Sequence, residues 1–285
     1  MSSMTAYGVR LEIRGRVALL ILDRPRRHNA FDAAMWASLA ESAARLHAAP
    51  PRAVVITGAG ERAFCAGFDV SLDNPQVAAL VEAMEQRRQA PADALLRDIR
   101  RVVDDLCALP VPLIAAINGD AYGGGAELAV RCDLRVMDPG AVVCFSEVRL
   151  GLMPDWGGGP ALVRLVGPGR AADLILTARR LPAREALELG VINRLSAPGR
   201  CLEEALELAE AIAANGPRAV RAALSLIRTA ADLPLAQALD RERDTAAALI
   251  ASGECLRGVE AFLKGQVPEF EDPLPDTAST HHHSP

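Results

Sequence analysis

Hydrophobic and polar positions change their rhythm twice along the 285-residue chain. Residues 9–14 and 17–22 are apolar or alternating around Gly15, the pattern of a two-stranded hairpin. After a polar turn at 24–29, residues 33–48 are alanine-rich with Met35, Leu39 and Leu46 on one face. This predicts a helix that Pro50 and Pro51 stop. Residues 53–57 (AVVIT) run apolar without a break, as a strand covered on both faces does. Residues 69–93 are polar, are interrupted by Pro75 and Pro91, and read as a mobile insertion over a site. A helix is expected over 95–109 and a buried strand over 112–117. A helix over 126–131 follows the glycines at 123–125, and short strands follow over 133–137 and 142–145. From Pro160 onward the period is helical: 160–166, 170–177, 183–189, 202–214, 217–230, 235–252 and 254–264. Alternating strands and helices followed by helices alone predict an α/β core with a C-terminal helical region. No repeat with a period of roughly 20–50 residues is visible.

Composition narrows the classes. Hydrophobic residues make up 51% and charged residues 24%, enough for a large core and against wholesale disorder. The length suits one domain with an appended helical piece. The formal charge of −5 gives no basic footprint for nucleic acid. Of 31 basic residues only Lys264 is a lysine, so lysine chemistry has one candidate. The six cysteines form no C-x-x-C and pair with no histidines, so neither a zinc site nor a disulfide framework is expected. They read as reduced, mostly buried thiols of a cytoplasmic protein. No signal peptide and no membrane span are expected, because no long apolar run occurs. The Pro/Ser/Thr-rich tail over 271–285, ending HHHSP, is expected to be disordered.

Several familiar motifs are missing: G-x-S-x-G, H-E-x-x-H and the Walker A pattern. Residues 167–172 match G-x-G-x-x-A, but no strand precedes them as a dinucleotide site requires, so a turn opening a helix is the simpler reading. Two other glycine segments are more informative: AFCAGFD at 63–69 and NGDAYGGGAE at 118–127, each after a buried strand. Three glycines at a strand-to-helix junction allow close approach of a ligand. The first amides of the following helix are unpaired and sit at the positive end of its dipole. Such amides can hold an oxygen that becomes negative, although a tight turn alone would also explain either segment.

Taken together, TGAGERAFCAGFD, INGDAYGGGAELAVRCD and FSEVRLGLMPDWGG resemble the crotonase (enoyl-CoA hydratase/isomerase) superfamily. The similarity runs from about Arg10 to Phe270 and includes DRPRRHNAF at 23–31 and AFLKGQVPEF at 261–270. The resemblance implies a spiral of ββα units over 1–200 and a C-terminal helical region over 201–270. That region would build homotrimers, often paired into homohexamers. It implies an acyl-CoA substrate, no separate cofactor, and no metal, nucleic-acid or membrane partner. The oxyanion hole would be the backbone amides of Phe68 and Gly124.

In family hydratases two glutamates with the spacing of Glu127 and Glu147 hold one water and work as acid and base. Asp155 stands where typical hydratases have a small residue, whereas several isomerases carry a catalytic acid there. Each acid also has a structural reading: a helix N-terminal charge for Glu127, a loop salt bridge for Glu147, and a helix charge or arginine partner for Asp155. The resemblance further assigns CoA contacts to Ala66, Asp69 and Val70 around the adenine, and to Arg26 or Lys264 at the phosphates. Arg24 and Arg27 are alternatives. The wall of the acyl pocket falls to 69–93. Enoyl-CoA hydration is therefore the expected activity, with double-bond isomerisation through Asp155 and Glu147 as its rival. A non-catalytic acyl-CoA or RNA-binding relative is disfavoured by the retained acids and the acidic charge.

Overall fold

The computed structural model describes residues 8–272. Two sheets alternate along the chain. The larger has the order β1 (Gly8–Arg14), β2 (Val17–Asp23), β3 (Ala53–Gly58), β5 (Leu113–Ile117), β7 (Leu134–Met137) and β10 (Arg194–Leu195). The β1–β2 hairpin is antiparallel and the remaining pairs are parallel. The smaller sheet has the order β4 (Ala63–Cys65), β6 (Asp120–Tyr122), β8 (Val142–Cys144) and β9 (Leu181–Pro182). A long strand, a short strand and then a helix make one turn of the spiral. The chain repeats this through β3–β4, β5–β6 and β7–β8, so the expected ββα architecture is present.

The larger sheet is covered on both faces, which is why its strands are apolar throughout. Along β2, Ala18, Leu20 and Leu22 face one core with α1 (Ala33–Ala48) and α3 (Gln89–Cys107). Val17, Leu19 and Ile21 face another, closed by α8 (Cys201–Ala213). The Cys201, Ala205 and Ala209 side chains of α8 are buried against that sheet. The boundary expected at residue 200 therefore moves: α8 belongs to the core, and the appended helices begin with α9 (Pro217–Ala230).

The segment 69–93 is corrected more strongly. It holds a helix, α2 (Pro75–Glu85), and the following helix starts at Gln89 rather than Leu95. Both prolines that suggested an irregular insertion lie in first turns, where a missing N–H costs no hydrogen bond. The Asn74 side chain caps α2 by accepting from the Gln76 amide at 3.1 Å.

The remaining helices are α4 (Gly124–Arg131), α5 (Gly158–Val166), α6 (Pro168–Thr177), α7 (Ala183–Glu188), α10 (Leu235–Ala251) and α11 (Glu254–Leu263). The G-x-G-x-x-A segment is the turn between α5 and α6, preceded by a helix. Helix α9 is tied to the core by Arg228, which meets Asp133 at 2.6 Å and the Leu109 carbonyl at 2.7 Å. Helix α10 buries no residue, and Leu235, Ile250, Phe262 and Leu263 of this region are exposed. All six cysteines are free thiols, four of them buried. No described helix is long and apolar enough to cross a membrane. Of the tail, Asp272 is anchored by Arg52 at 2.6 Å and Glu271 by Arg257 at 2.7 Å, so order extends to 272. The rest of the expected disorder lies outside the described residues.

Candidate active site

The loop after β4 is pinned from both sides by one residue. The Phe31 amide donates to the Gly67 carbonyl at 2.7 Å, and the Asp69 amide donates to the Phe31 carbonyl at 2.8 Å. The Ala66 amide donates to the His28 carbonyl and the Gly67 amide to Cys65 Sγ. The Phe68 amide alone, of these four in a row, has no acceptor among the described residues. The Asp69 carboxylate locks the loop further. It pairs with Arg24 at 2.6 Å, accepts from the Ser71 amide at 3.0 Å and accepts from the Ser71 hydroxyl. Burial pushes its pKa up, but the Ser71 and Arg24 hydrogen bonds outweigh this and hold it below the ordinary value.

The second segment meets the first. Gly123 adopts φ +52 and donates its amide to the Cys144 carbonyl at 2.9 Å, turning the chain into α4. The Gly124 amide opens that helix and has no acceptor among the described residues. A Cβ on Gly67 would stand 2.8 Å from the Gly124 nitrogen, so the two free amides belong to touching segments. A Cβ on Gly124 would meet the Trp156 ring at 2.5 Å, and one on Gly125 would meet the Cys65 carbonyl at 2.1 Å. The glycine triplet is needed because walls close on it from two sides.

The three acids converge on the same space. Glu127 is fully buried, and its carboxylate accepts three backbone amides: Asp155 at 3.0 Å, Trp156 at 2.9 Å and Gly158 at 2.8 Å. Burial raises its pKa to about 7; the Gly158 and Asp155 amides counter the rise and the Glu147 charge adds to it. Glu147 lies in a short 3₁₀ turn, Glu147–Leu150, is nearly buried, and has no hydrogen-bond partner at either carboxylate oxygen. Its pKa is raised as well, by burial first, with Asp155 contributing. Burial and then the Glu127 charge lift Asp155 to about 6. Neither Glu147 nor Asp155 forms a salt bridge among the described residues.

A cavity of about 690 Å³ joins these groups, lined by Phe68, Gly124, Glu127, Glu147 and Asp155 at one end and by α2 and α3 along its length. Ala66 and Val70 line it too, whereas Asp69 spends both backbone groups inside the loop. Arg26 is exposed in the 3₁₀ turn Pro25–Arg27 and does not line the cavity. Arg24 is held by Asp69 and Asp32, and Arg27 by Asp73. Lys264 faces Glu260 at 3.9 Å and lies away from the cavity within this one chain. No group of three or more described His, Cys, Asp or Glu residues could hold a metal ion. Burial pushes the Cys65 thiol up to about 12, so this cysteine beside the site packs rather than attacks.

Sequence reasoning missed the amides of Asp155, Trp156 and Gly158 as the cradle of Glu127. Backbone donors leave no side-chain signature; the one available cue was the glycine run at 157–159 beside an acid and a tryptophan.

A family model described as "Enoyl-CoA hydratase/isomerase" matches residues 12–273. YngF of Bacillus subtilis (strain 168), which bears an enoyl-CoA hydratase/isomerase name, is 38% identical over 250 residues, covering 86% of this chain and 91% of that protein. The carnitinyl-CoA dehydratase of Proteus mirabilis (strain HI4320) is 35% identical over 271 residues, 93% of this chain and 99% of that one. The crystal structure of an enoyl-CoA hydratase from Bacillus anthracis superposes with a TM-score of 0.84 at 34% identity, covering 92% of this chain and 98% of the other.

Proposed function

We propose that this chain, which belongs to the enoyl-CoA hydratase/isomerase family of crotonase-like proteins, hydrates a trans-2-enoyl-CoA. The thioester oxygen accepts from the free amides of Phe68 and Gly124. These donors are fixed before reaction and gain strength as the oxygen takes enolate charge. Glu127 and Glu147 hold one water between them. Burial raises both pKa values, that of Glu127 to about 7, which favours the pair sharing one proton. The ionised carboxylate takes a proton as the water oxygen bonds to the β-carbon, and the protonated carboxyl delivers its proton to the α-carbon. The product gains one hydroxyl and one hydrogen, and the pair keeps a single proton. The chemistry asks for no cofactor beyond the CoA thioester.

The observation that carries this reading is the glutamate pair itself. One member is oriented by three amides, and the other is buried without a protein partner, facing the same cavity as two free amides. Turnover of short and medium trans-2-enoyl-CoA thioesters tests it: hydration should appear as loss of the conjugated enoyl absorbance, and a folded sample that hydrates none of them refutes it.

Asp155 supports a second reading, in which it moves a proton with Glu147 to shift a double bond. It lines the cavity and titrates near 6 without an ion-pair partner. The CoA would lie along Ala66 and Val70, with Arg26 or Lys264 near its phosphates. Lys264 could reach a site only in a neighbouring subunit, which fits homotrimers or homohexamers built on the exposed apolar α10–α11 region, in the cytoplasm.

A further inference from the structure

The two helices that wall the cavity end in an unusual rim. On α3 the lining residues are Gln89, Ala92, Leu95, Leu96 and Ile99, one face of the helix over roughly 15 Å. Leu96 also borders a surface groove together with Asp155, which places its turn beside the catalytic acids. Gln89 therefore lies at the opposite end, roughly 10 Å further along the helix. The wall between is apolar: Val77, Leu80, Ala83 and Met84 of α2 face Leu95 and Leu96 of α3. Beyond it stand Arg87 and Arg88, in the residues linking α2 to α3 and lining the same cavity.

Arg87 occupies a position that backbone physics assigns to another residue. It follows the last turn of α2 with φ +50, its amide donating to Met84 and the next amide to Ala83. Glycine is the favoured residue there, because a Cβ strains the left-handed backbone. The Arg87 side chain makes no ion pair or hydrogen bond among the described residues, and Arg88 reaches only Gln86, at 3.3 Å. All carboxylates that line the cavity are Glu127, Glu147 and Asp155, at the far end. Two exposed arginines thus stand where an apolar channel opens, and neither forms an ion pair among the described residues.

We infer that the preferred substrate is a medium-length enoyl thioester whose acyl chain ends in a carboxylate, bound by Arg87 and Arg88. The apolar wall accepts methylenes. It offers no partner to the two amides of a pantetheine arm, which would lie there unsatisfied, so the acyl chain rather than the CoA arm runs along it. A terminal carboxylate then arrives within reach of two arginines, whose guanidiniums suit bidentate recognition. This assignment rests on the reading of the site as an enoyl-thioester site, and its test is made independent of turnover.

Octanoyl-CoA and octanedioyl-CoA, neither of which can be hydrated, are titrated calorimetrically into the full-length protein and into the Arg87→Gly/Arg88→Gln variant. Glycine suits the backbone at 87, so unchanged melting is expected. Wild type should bind octanedioyl-CoA about five- to tenfold more tightly. The variant should bind both thioesters about equally, with octanoyl-CoA affinity within about twofold of wild type. The same pair presented as pantetheine thioesters should keep the wild-type preference. Equal affinities in wild type overturn the inference alone. A variant that weakens both CoA thioesters but neither pantetheine thioester also overturns it, by showing that the arginines hold CoA phosphates. Binding of no thioester at all removes the enoyl-thioester reading and this inference with it.

Discussion

Replacing Gly158 by alanine isolates what the 155–158 loop contributes to Glu127. A Cβ there would lie 2.5 Å from the Glu127 Cα, Cβ and Cγ, and the Cα belongs to the buried helix α4, which cannot retreat. The same residue supplies the shortest of the three amide bonds to the carboxylate, at 2.8 Å. Overpacking costs about 1–3 kcal/mol, and weakening a charge-assisted hydrogen bond about 1.5–3 kcal/mol. A loss of roughly 4 kcal/mol lowers Tm by about 10 °C in a domain of this size. With Glu127 in the role proposed for it, a displacement of about 1 Å at its carboxylate should cut kcat about a hundredfold. The amide favours the ionised form, so its loss lifts the Glu127 pKa further above about 7 and moves the acidic limb of the pH–kcat profile to higher pH. Gly159→Ala is the control, because its Cβ would meet only the Pro154 Cβ, at an ordinary 3.7 Å. Enoyl-CoA hydration followed from pH 5 to 9 with melting curves on both variants makes the comparison. The reasoning fails if Gly158→Ala keeps wild-type kcat and acidic limb, or if Gly159→Ala loses as much.

Glu147→Gln should lower kcat about 10²–10⁴-fold. It should also raise Tm more at pH 8 than at pH 4: burial lifts the folded Glu147 pKa above the ordinary 4.5, so the stability of its protonated form is complete below that value and is lost as pH rises through the folded pKa, and melting curves at both pH values check this sign. Asp155→Asn should leave hydration within about tenfold while abolishing any 3-enoyl to 2-enoyl isomerisation, as a two-substrate rate panel reads; a larger loss of hydration would place Asp155 in that reaction. Asp69→Asn should loosen the Phe68 amide, lowering kcat about tenfold with little change in octanoyl-CoA affinity. It should also cost about 3 kcal/mol by breaking the Asp69–Arg24 pair, measured by denaturant unfolding.

The long strands and helices were legible because burial writes itself into periodicity. β2 and β3 read as unbroken apolar runs because both faces are covered, and α1 was bounded by Pro50 and the polar turn before Asp32. The short strands β4, β6, β9 and β10 were not, since two or three residues carry no period. The recurring ββα unit escaped detection because its long strands begin at residues 53, 113 and 134, with insertions of very different length between. Helix α2 was hidden by proline, which reads as a breaker unless the capping Asn74 before it is weighed. At the site, the glycine segments and acids could be named from sequence, and the family resemblance gave them roles. The pinning of Phe68 by Phe31 and the amide cradle of Glu127 depend on residues 37 and about 30 positions away, which only the fold brings together.

The protein has two tryptophans, and both sit in one stack under the start of α4. The Trp36 and Trp156 rings are 4.6 Å apart in an edge-on arrangement, with Phe31 against each, and Trp156 closes on Gly124. The whole intrinsic tryptophan emission therefore originates beside the cavity, because Trp156 lines it and Trp36 packs against the Trp156 ring. Any thioester that settles on the Gly124 amide lands beside the buried Trp156 ring and changes the local field there, so the unlabelled protein carries its own optical signal for occupancy. Because the two indoles share excitation at this distance, that signal should behave as one transition rather than two.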